Sequence, residues 1–239
     1  MRALEIHRLG RVGYGDGLLL MRLAAERLRA GGRDEPDRLF LLEHPPVLTI
    51  GRAGRSADVI AAPAWLASHG IRVHEVDRGG GVTYHGPGQV VGYPVVDLRE
   101  RPDARRFVRD LEEAMILACA DFGVLAGRHP RHRGAWVGAR KIGAVGVRVD
   151  GWISGHGFAL NVAPDLAHFG AIVPCGIDDP DLGVTSLAVE LGRAGRPVPP
   201  SSAVQARLAH HLVRILGRRA AGLAGGMGEA RARASSEAP

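Results

Sequence analysis

The chain has 239 residues and a mass of 25.3 kDa; with 46% hydrophobic and 23% charged residues it has ordinary globular composition, enough for one domain with a full core. That composition excludes a wholly disordered chain, two cysteines are too few for a disulfide-stapled miniprotein or a cysteine-only zinc site, and no apolar run reaches the roughly 18–20 residues a membrane helix needs. The opening MRALEIHRLGRVG has no continuous apolar stretch, so no secretory signal is expected and the chain reads as a reduced, cytoplasmic protein.

In chain order, residues 4–9 suit a short first strand. Asp16 stands where an N-cap would, ahead of an apolar run that should end as a helix at Gly31-Gly32. Residues 39–42 and 47–50 read as strands split by Pro45-Pro46, 63–69 as a short helix, and 71–76 as a strand. A glycine-rich stretch over 78–88 leads into a strand over 89–98. The clearest helix spans 103–122, where Val108, Leu111, Met115, Cys119 and Phe122 recur at spacings of three and four. Cys119 lies on that stripe and reads as an inert core thiol. Residues 135–137, 140–149 and 152–162 predict consecutive strands, with turns at Gly138 and Asp150-Gly151. Thr185 is placed to cap a helix ending near Gly192. Ser202-Ala203-Val204-Gln205 matches a capping box that opens a last helix to about Gly217. From Arg218 on, Ala, Gly, Arg and Ser dominate without apolar period, so 218–239 reads as a disordered tail behind a domain of residues 1–217. The expected fold class is α/β: one domain, a mixed sheet and flanking helices.

Of the 31 Lys+Arg, Lys141 is the single lysine, leaving 31 − 1 = 30 arginines. A chain that uses Arg wherever a plain positive charge will serve, and Lys once, points either to a position where guanidinium fails or to one lysine left by chance. Arg is planar and effectively never deprotonated, whereas Lys is a compact amine whose proton can leave. The basic balance raises nucleic acid, an acidic protein or a carboxylate substrate as partner. The arginines are scattered, however, and only five Phe, three Tyr and three Trp are available for stacking, so no nucleic-acid partner is expected. The densest cluster, residues 128–133, reads as a solvated loop.

Three segments carry candidate chemistry. The first is Arg78-Gly79-Gly80-Gly81-Val82-Thr83-Tyr84-His85-Gly86-Pro87-Gly88-Gln89, whose glycines let backbone approach a ligand and expose N–H groups. No Gly-Lys-Ser/Thr follows, and the next element is a strand, so it is neither a Walker loop nor a dinucleotide fingerprint. A long glycine-rich turn is its plain alternative. The second segment, residues 140–148 running into 154–161, has small residues at Gly143, Ala144, Gly146, Gly157 and Ala159, with Val145 and Phe158 between them. These leave a groove for a thin acyl chain or, alternatively, allow two tightly packed strands. The third is Ile172-Val173-Pro174-Cys175-Gly176-Ile177, where Cys175 belongs to no helical stripe and sits in a Pro/Gly loop. A thiolate there needs a nearby cation, and the lone lysine is a candidate for it.

RGGGVTYHGPGQVVGYPVVDL, RKIGAVGVRV, GHGFALNV and IVPCGI, in this order, resemble the lipoyl(octanoyl) transferases of lipoate biosynthesis over about residues 4–217. That resemblance implies a fold related to lipoate- and biotin-protein ligase catalytic domains. It implies octanoyl transfer from acyl carrier protein to a lysine of lipoyl domains, as in 2-oxoacid dehydrogenase complexes and the glycine cleavage H protein. It also implies Cys175 as nucleophile with Lys141 as partner acid and base. Residues 78–85, 144–146 and 157–159 are then expected to bind substrate, with His156 and Gly176 as supporting groups. Arg78 is expected to brace the glycine loop or contact carrier phosphopantetheine, and His85 and His156 to be hydrogen-bonding scaffolds. Neither cofactor nor metal is expected, and the chain is expected to be a monomer without membrane partner. The competing readings are an ATP-dependent ligase on the same fold, transfer of octanoyl groups between lipoyl domains, and a non-catalytic nucleic-acid binder.

Overall fold

The computed structural model describes residues 1–32, 34–173 and 181–225. Its strands are β1 (Ala3–Arg11), β2 (Asp37–Glu43), β3 (Val47–Ile50), β4 (Arg72–Glu75), β5 (Val82–His85), β6 (Gln89–Val95), β7 (Ala135–Val137), β8 (Arg140–Asp150), β9 (Ile153–Asn161), β10 (Gly183–Val184) and β11 (Arg219–Gly225). Its helices are α1 (Tyr14–Ala30), α2 (Pro63–Ser68), α3 (Ala104–Asp121), α4 (Leu187–Arg193) and α5 (Ser201–Ile215). One mixed sheet runs in the order β10-β8-β9-β6-β2-β1-β11, with β7 also paired to β8, and β4-β3-β5 form a second sheet. This is the expected α/β class.

Central β2 is buried along nearly its whole length, as a strand covered on both faces must be. Alternation divides its side chains: Leu39 and Leu41 enter the core beneath α3 and α5, while Phe40 and Leu42 enter the core beneath α1. The predicted stripe of α3 places Leu111, Met115 and Cys119 in the first of these cores, and Asp103 caps the helix by accepting from the Arg106 N–H at 2.9 Å. Burial raises the Cys119 thiol to about 12, so it is inert as a nucleophile.

Several expectations need correction. Gly13, not Asp16, precedes α1; Asp16 lies in its first turn, where a carboxylate still favours the helix dipole. Ser186, not Thr185, caps α4, because the Thr185 side chain is taken by Glu190. The capping box at Ser202 does not form, since Pro200 already fixes extended backbone before Ser201 and the helix starts there. Ser201 Oγ instead donates to Glu43 Oε1 at 2.8 Å. The glycine-rich stretch ends in a strand, β5, paired antiparallel with β3. Finally, part of the expected tail is structured: Arg219–Gly225 pair in parallel with β1. The open edge of β1 supplies hydrogen-bonding partners that override the poor apolar period. Arg218 anchors this return, its Nε donating to the buried Asp37 carboxylate at 2.6 Å and its terminal nitrogen to the Asp97 carbonyl at 3.0 Å. Residues 226–239 lie outside the described residues.

Candidate active site

The glycine stretch lies across β8, held by backbone. Gly79 N–H donates to the Val147 carbonyl at 2.9 Å, and a Cβ on Gly146 would stand 2.8 Å from the Gly79 oxygen, so Gly146 permits the contact. Gly80 has φ +87, which favours glycine. Arg78 is buried and committed to the fold: its Nε and a terminal nitrogen donate to Thr49 Oγ1 at 3.2 and 2.8 Å, the latter nitrogen to the Thr49 carbonyl at 2.7 Å, and the other to the Gly79 carbonyl at 3.0 Å. Of the two roles the sequence allowed it, these bonds fit bracing the loop.

Alternation along β5 divides the motif. Thr83 and His85 line a slot between the sheets, together with Arg78, Tyr14 and Tyr93. Val82 and Tyr84 point the other way, into the core of the small sheet, so the structure does not bring them to the slot. Tyr84 instead shares a 2.8 Å hydrogen bond with His168 Nδ1. The opposite wall is Ala144, Val145, Gly146, His156, Gly157, Phe158 and Ala159. Not every small residue there makes space. A Cβ on Gly157 would run into the Gly92 oxygen and one on Gly143 would meet Met115 Sδ at 2.6 Å, so these two serve close strand and helix packing. The slot itself holds about 30 Å³, room for a few waters rather than an eight-carbon chain. A wider groove of about 480 Å³ shares Ala144, Val145 and Gly146 with it and is also lined by residues 79–81 and Lys141.

His85 in the slot and His44 beside it are neutral imidazoles. His85 Nδ1–H donates to Gln89 Oε1 at 2.6 Å; that amide is oriented because its nitrogen donates to Asn161 Oδ1 at 2.8 Å. His44 Nδ1–H donates to the Val12 carbonyl and its Nε2 accepts from the Tyr93 hydroxyl, both at 2.7 Å. Burial lowers His85 to about 3 and His44 to about 4, from an ordinary 6.5. Burial also pushes Tyr14 up to about 12. Both imidazoles therefore act as neutral hydrogen-bonding groups, not as acids. The linkage has a definite sign. Below about pH 6.5 the unfolded chain protonates while the folded rings stay neutral, so stability rises with pH between about 4 and 6.5, by roughly 1.4 kcal/mol per unit for each ring. Urea melts over that window are expected to show this slope, and His85→Gln to remove about half of the histidine share. A slope untouched by that variant refutes the assignment.

His156 adopts φ +55 in the middle of β9, a backbone conformation that is uncommon for a residue with a side chain. The turn presents Nε2–H to Asp77 Oδ1 at 2.8 Å, and Arg148 closes on the other Asp77 oxygen. Lys141 begins β8. Its Nζ lies 5.0 Å from the ring centroid of Trp136, within cation–π range, and its carbonyl accepts from Thr185 N–H at 2.9 Å. The chain leaves the described residues at Val173 and re-enters at Asp181, and two residues later Gly183 and Val184 pair with Arg140 and Lys141. Cys175 and Gly176 lie outside the described residues. A second cleft of about 200 Å³, lined by Trp136, Lys141, Phe169, Leu182 and Val184, opens beside the same lysine.

Sequence reasoning missed Trp136, Asp77, Tyr14, His44, Tyr93 and Asn161 as site groups. Asn161 and Tyr93 lay inside quoted motifs, and Trp136 stands five residues before the single lysine; Tyr14 and His44 carried no local signal. Trp136 is buried, and its Nε1–H has no hydrogen-bond partner among the described residues. Among the described residues, no group of three or more His, Cys, Asp or Glu is placed to hold a metal ion, and no helix is long and apolar enough to cross a membrane.

The family model described as the lipoyl protein ligase A/B catalytic domain matches residues 17–212. A Myxococcus xanthus protein named octanoyltransferase is 51% identical over 201 residues, covering 81% of this chain but 55% of its own length. A Rubrobacter xylanophilus protein of the same name is 50% identical over 194 residues, covering 80% of this chain and 86% of its own. Among solved structures, a lipoate-protein ligase A bound with ATP superposes with a TM-score of 0.72 over 99% of this chain and 94% of that one, at 17% identity.

Proposed function

The chain belongs to the lipoyl protein ligase A/B catalytic-domain family, and from that premise we propose that it transfers octanoyl groups in lipoate biosynthesis through a thioester on Cys175. It is an acyltransferase, with lipoyl domains as the general class of acceptor. The donor is octanoyl-acyl carrier protein, and the acceptors are lysines of lipoyl domains in 2-oxoacid dehydrogenase complexes and of the glycine cleavage H protein.

One observation carries the dyad. Of the two thiols in the chain, Cys119 is sealed in the core on the buried face of α3, while Gly183 and Val184, eight and nine residues beyond Cys175 in sequence, pair with Arg140 and Lys141. The Cys175 thiolate attacks the octanoyl carbonyl, a carbon–sulfur bond forms, and the bond to the carrier's sulfur breaks. The Lys141 ammonium protonates the departing thiolate and is left as the amine. The acceptor lysine amine then attacks the acyl-enzyme, Lys141 takes its proton, and Cys175 leaves as thiolate. An amide replaces a thioester, which runs downhill, so no nucleotide is consumed. Trp136 supports the ammonium across its ring face, and the His156–Asp77–Arg148 chain with Arg78 holds the glycine loop and β9 in register.

The competing reading is ATP-dependent ligation, favoured by the likeness to the ATP-bound ligase. Purified protein, octanoyl-carrier and an apo lipoyl domain are expected to yield octanoyl-lysine without nucleotide. Product that appears only with free octanoate and ATP replaces this reading by ligation.

A further inference from the structure

A positively charged groove at Lys141 has features that acyl transfer alone does not require. Its floor is the glycine loop and residues 144–147 of β8, and its volume of about 480 Å³ falls within the range of small-molecule sites, roughly 300–1,000 Å³. Half-buried Lys141 lines it, and so do exposed Arg105, from the first turn of α3, and exposed Arg133, from the loop before β7. Among the described residues neither arginine makes a hydrogen bond or an ion pair, whereas neighbouring arginines do: Arg106 faces Asp110 at 3.9 Å, and Arg128 holds Glu112 at 3.3 Å and Glu113 at 2.7 Å. The acids of α3 are thus taken by other partners, and among the described residues none pairs with Arg105 or Arg133, which line the groove beside Arg131. Arg78, the cation that the motif itself offers, is buried and bonded to Thr49.

We propose that this groove receives the phosphopantetheine arm of the acyl donor, with Arg105 and Arg133 engaging its phosphate while the thioester at the far end reaches Lys141. The assignment rests on the octanoyl-transfer reading. The arm is long and thin, with its one charged group at the end opposite the reacting carbonyl. The groove offers matching chemistry: exposed guanidinium groups for the phosphate, the half-buried lysine for the thioester, and small or apolar residues, among them Val108 and Val145, for the thin arm. Guanidinium is the side chain best matched to phosphate oxygens.

The test compares two small donors, octanoyl-phosphopantetheine and octanoyl-pantetheine, which differ only in the phosphate, and adds the octanoyl-carrier protein as a third. Thiol release gives kcat/KM for each. The wild type is expected to prefer the phosphorylated small donor by about tenfold or more, and Arg105→Ala with Arg133→Ala to collapse that ratio towards one. Two results overturn the proposal: a wild type indifferent to the phosphate, or variants that lose equally on both small donors and keep the ratio. Loss on the carrier protein alone also overturns it, because the arginines would then read the carrier's surface. Failure of octanoyl transfer is a separate outcome, recognised when wild type releases thiol from none of the three donors.

Discussion

Cys175→Ala is expected to abolish octanoyl transfer, by at least about 10⁴-fold, because no second thiol can replace it. The chain has two cysteines, and the alternative, Cys119, is buried between α3 and the sheet with its thiol raised to about 12. A thiol held that far above neutrality forms almost no thiolate, and it has no exposed surface from which to meet a donor. Mass spectrometry of wild type incubated with donor alone should show one octanoyl adduct, on Cys175, and none in the alanine variant. Cys119→Ala is the matched control: it should keep the chemistry and lose some stability, since it leaves a small void in a closed core. An adduct on Cys119, or transfer by Cys175→Ala near the wild-type rate, refutes the mechanism.

Lys141→Arg is expected to slow turnover about 10²–10⁴-fold although the charge is kept. Arginine is positive and stacks on indole, so it preserves what Trp136 and a thiolate ask of this position electrostatically. It cannot give up a proton near neutral pH. The two roles therefore separate. Alkylation of Cys175 by a small electrophile should remain fast in Lys141→Arg and slow in Lys141→Ala, while both variants lose transfer. Turnover by Lys141→Arg within a few-fold of wild type would mean that the lysine acts through its charge alone.

The helical parts of the fold were legible because they obey one local rule. The three-and-four spacing in α3, with Asp103 before it, needed no tertiary information. Strand β5 was hidden because four of the residues that lead into it are Arg-Gly-Gly-Gly, which carry no strand preference; it exists because β3 offers it a partner. The same holds for β11 beside β1. At the site, the chemistry-bearing types were visible, since a single lysine and a loop cysteine stand out in any reading. The supporting groups were not. Tyr14, His44 and Tyr93 come from α1, the β2–β3 connection and β6, and only the stacking of sheet on sheet brings them to His85. Reading the glycine motif as one continuous binding surface also overlooked the alternation of β5, which sends Tyr84 into the core beside Phe169.

The choice of arginine at Arg105 and Arg133 in the groove has a chemical consequence apart from recognition. Thioesters acylate exposed lysines without any catalyst, so a protein that holds one repeatedly risks labelling itself. Guanidinium attracts the same anions but is too weak a nucleophile to be trapped in this way. With one lysine in 239 residues, and that one at the candidate centre, the surface offers a reactive acyl donor almost no side chain on which to be wasted.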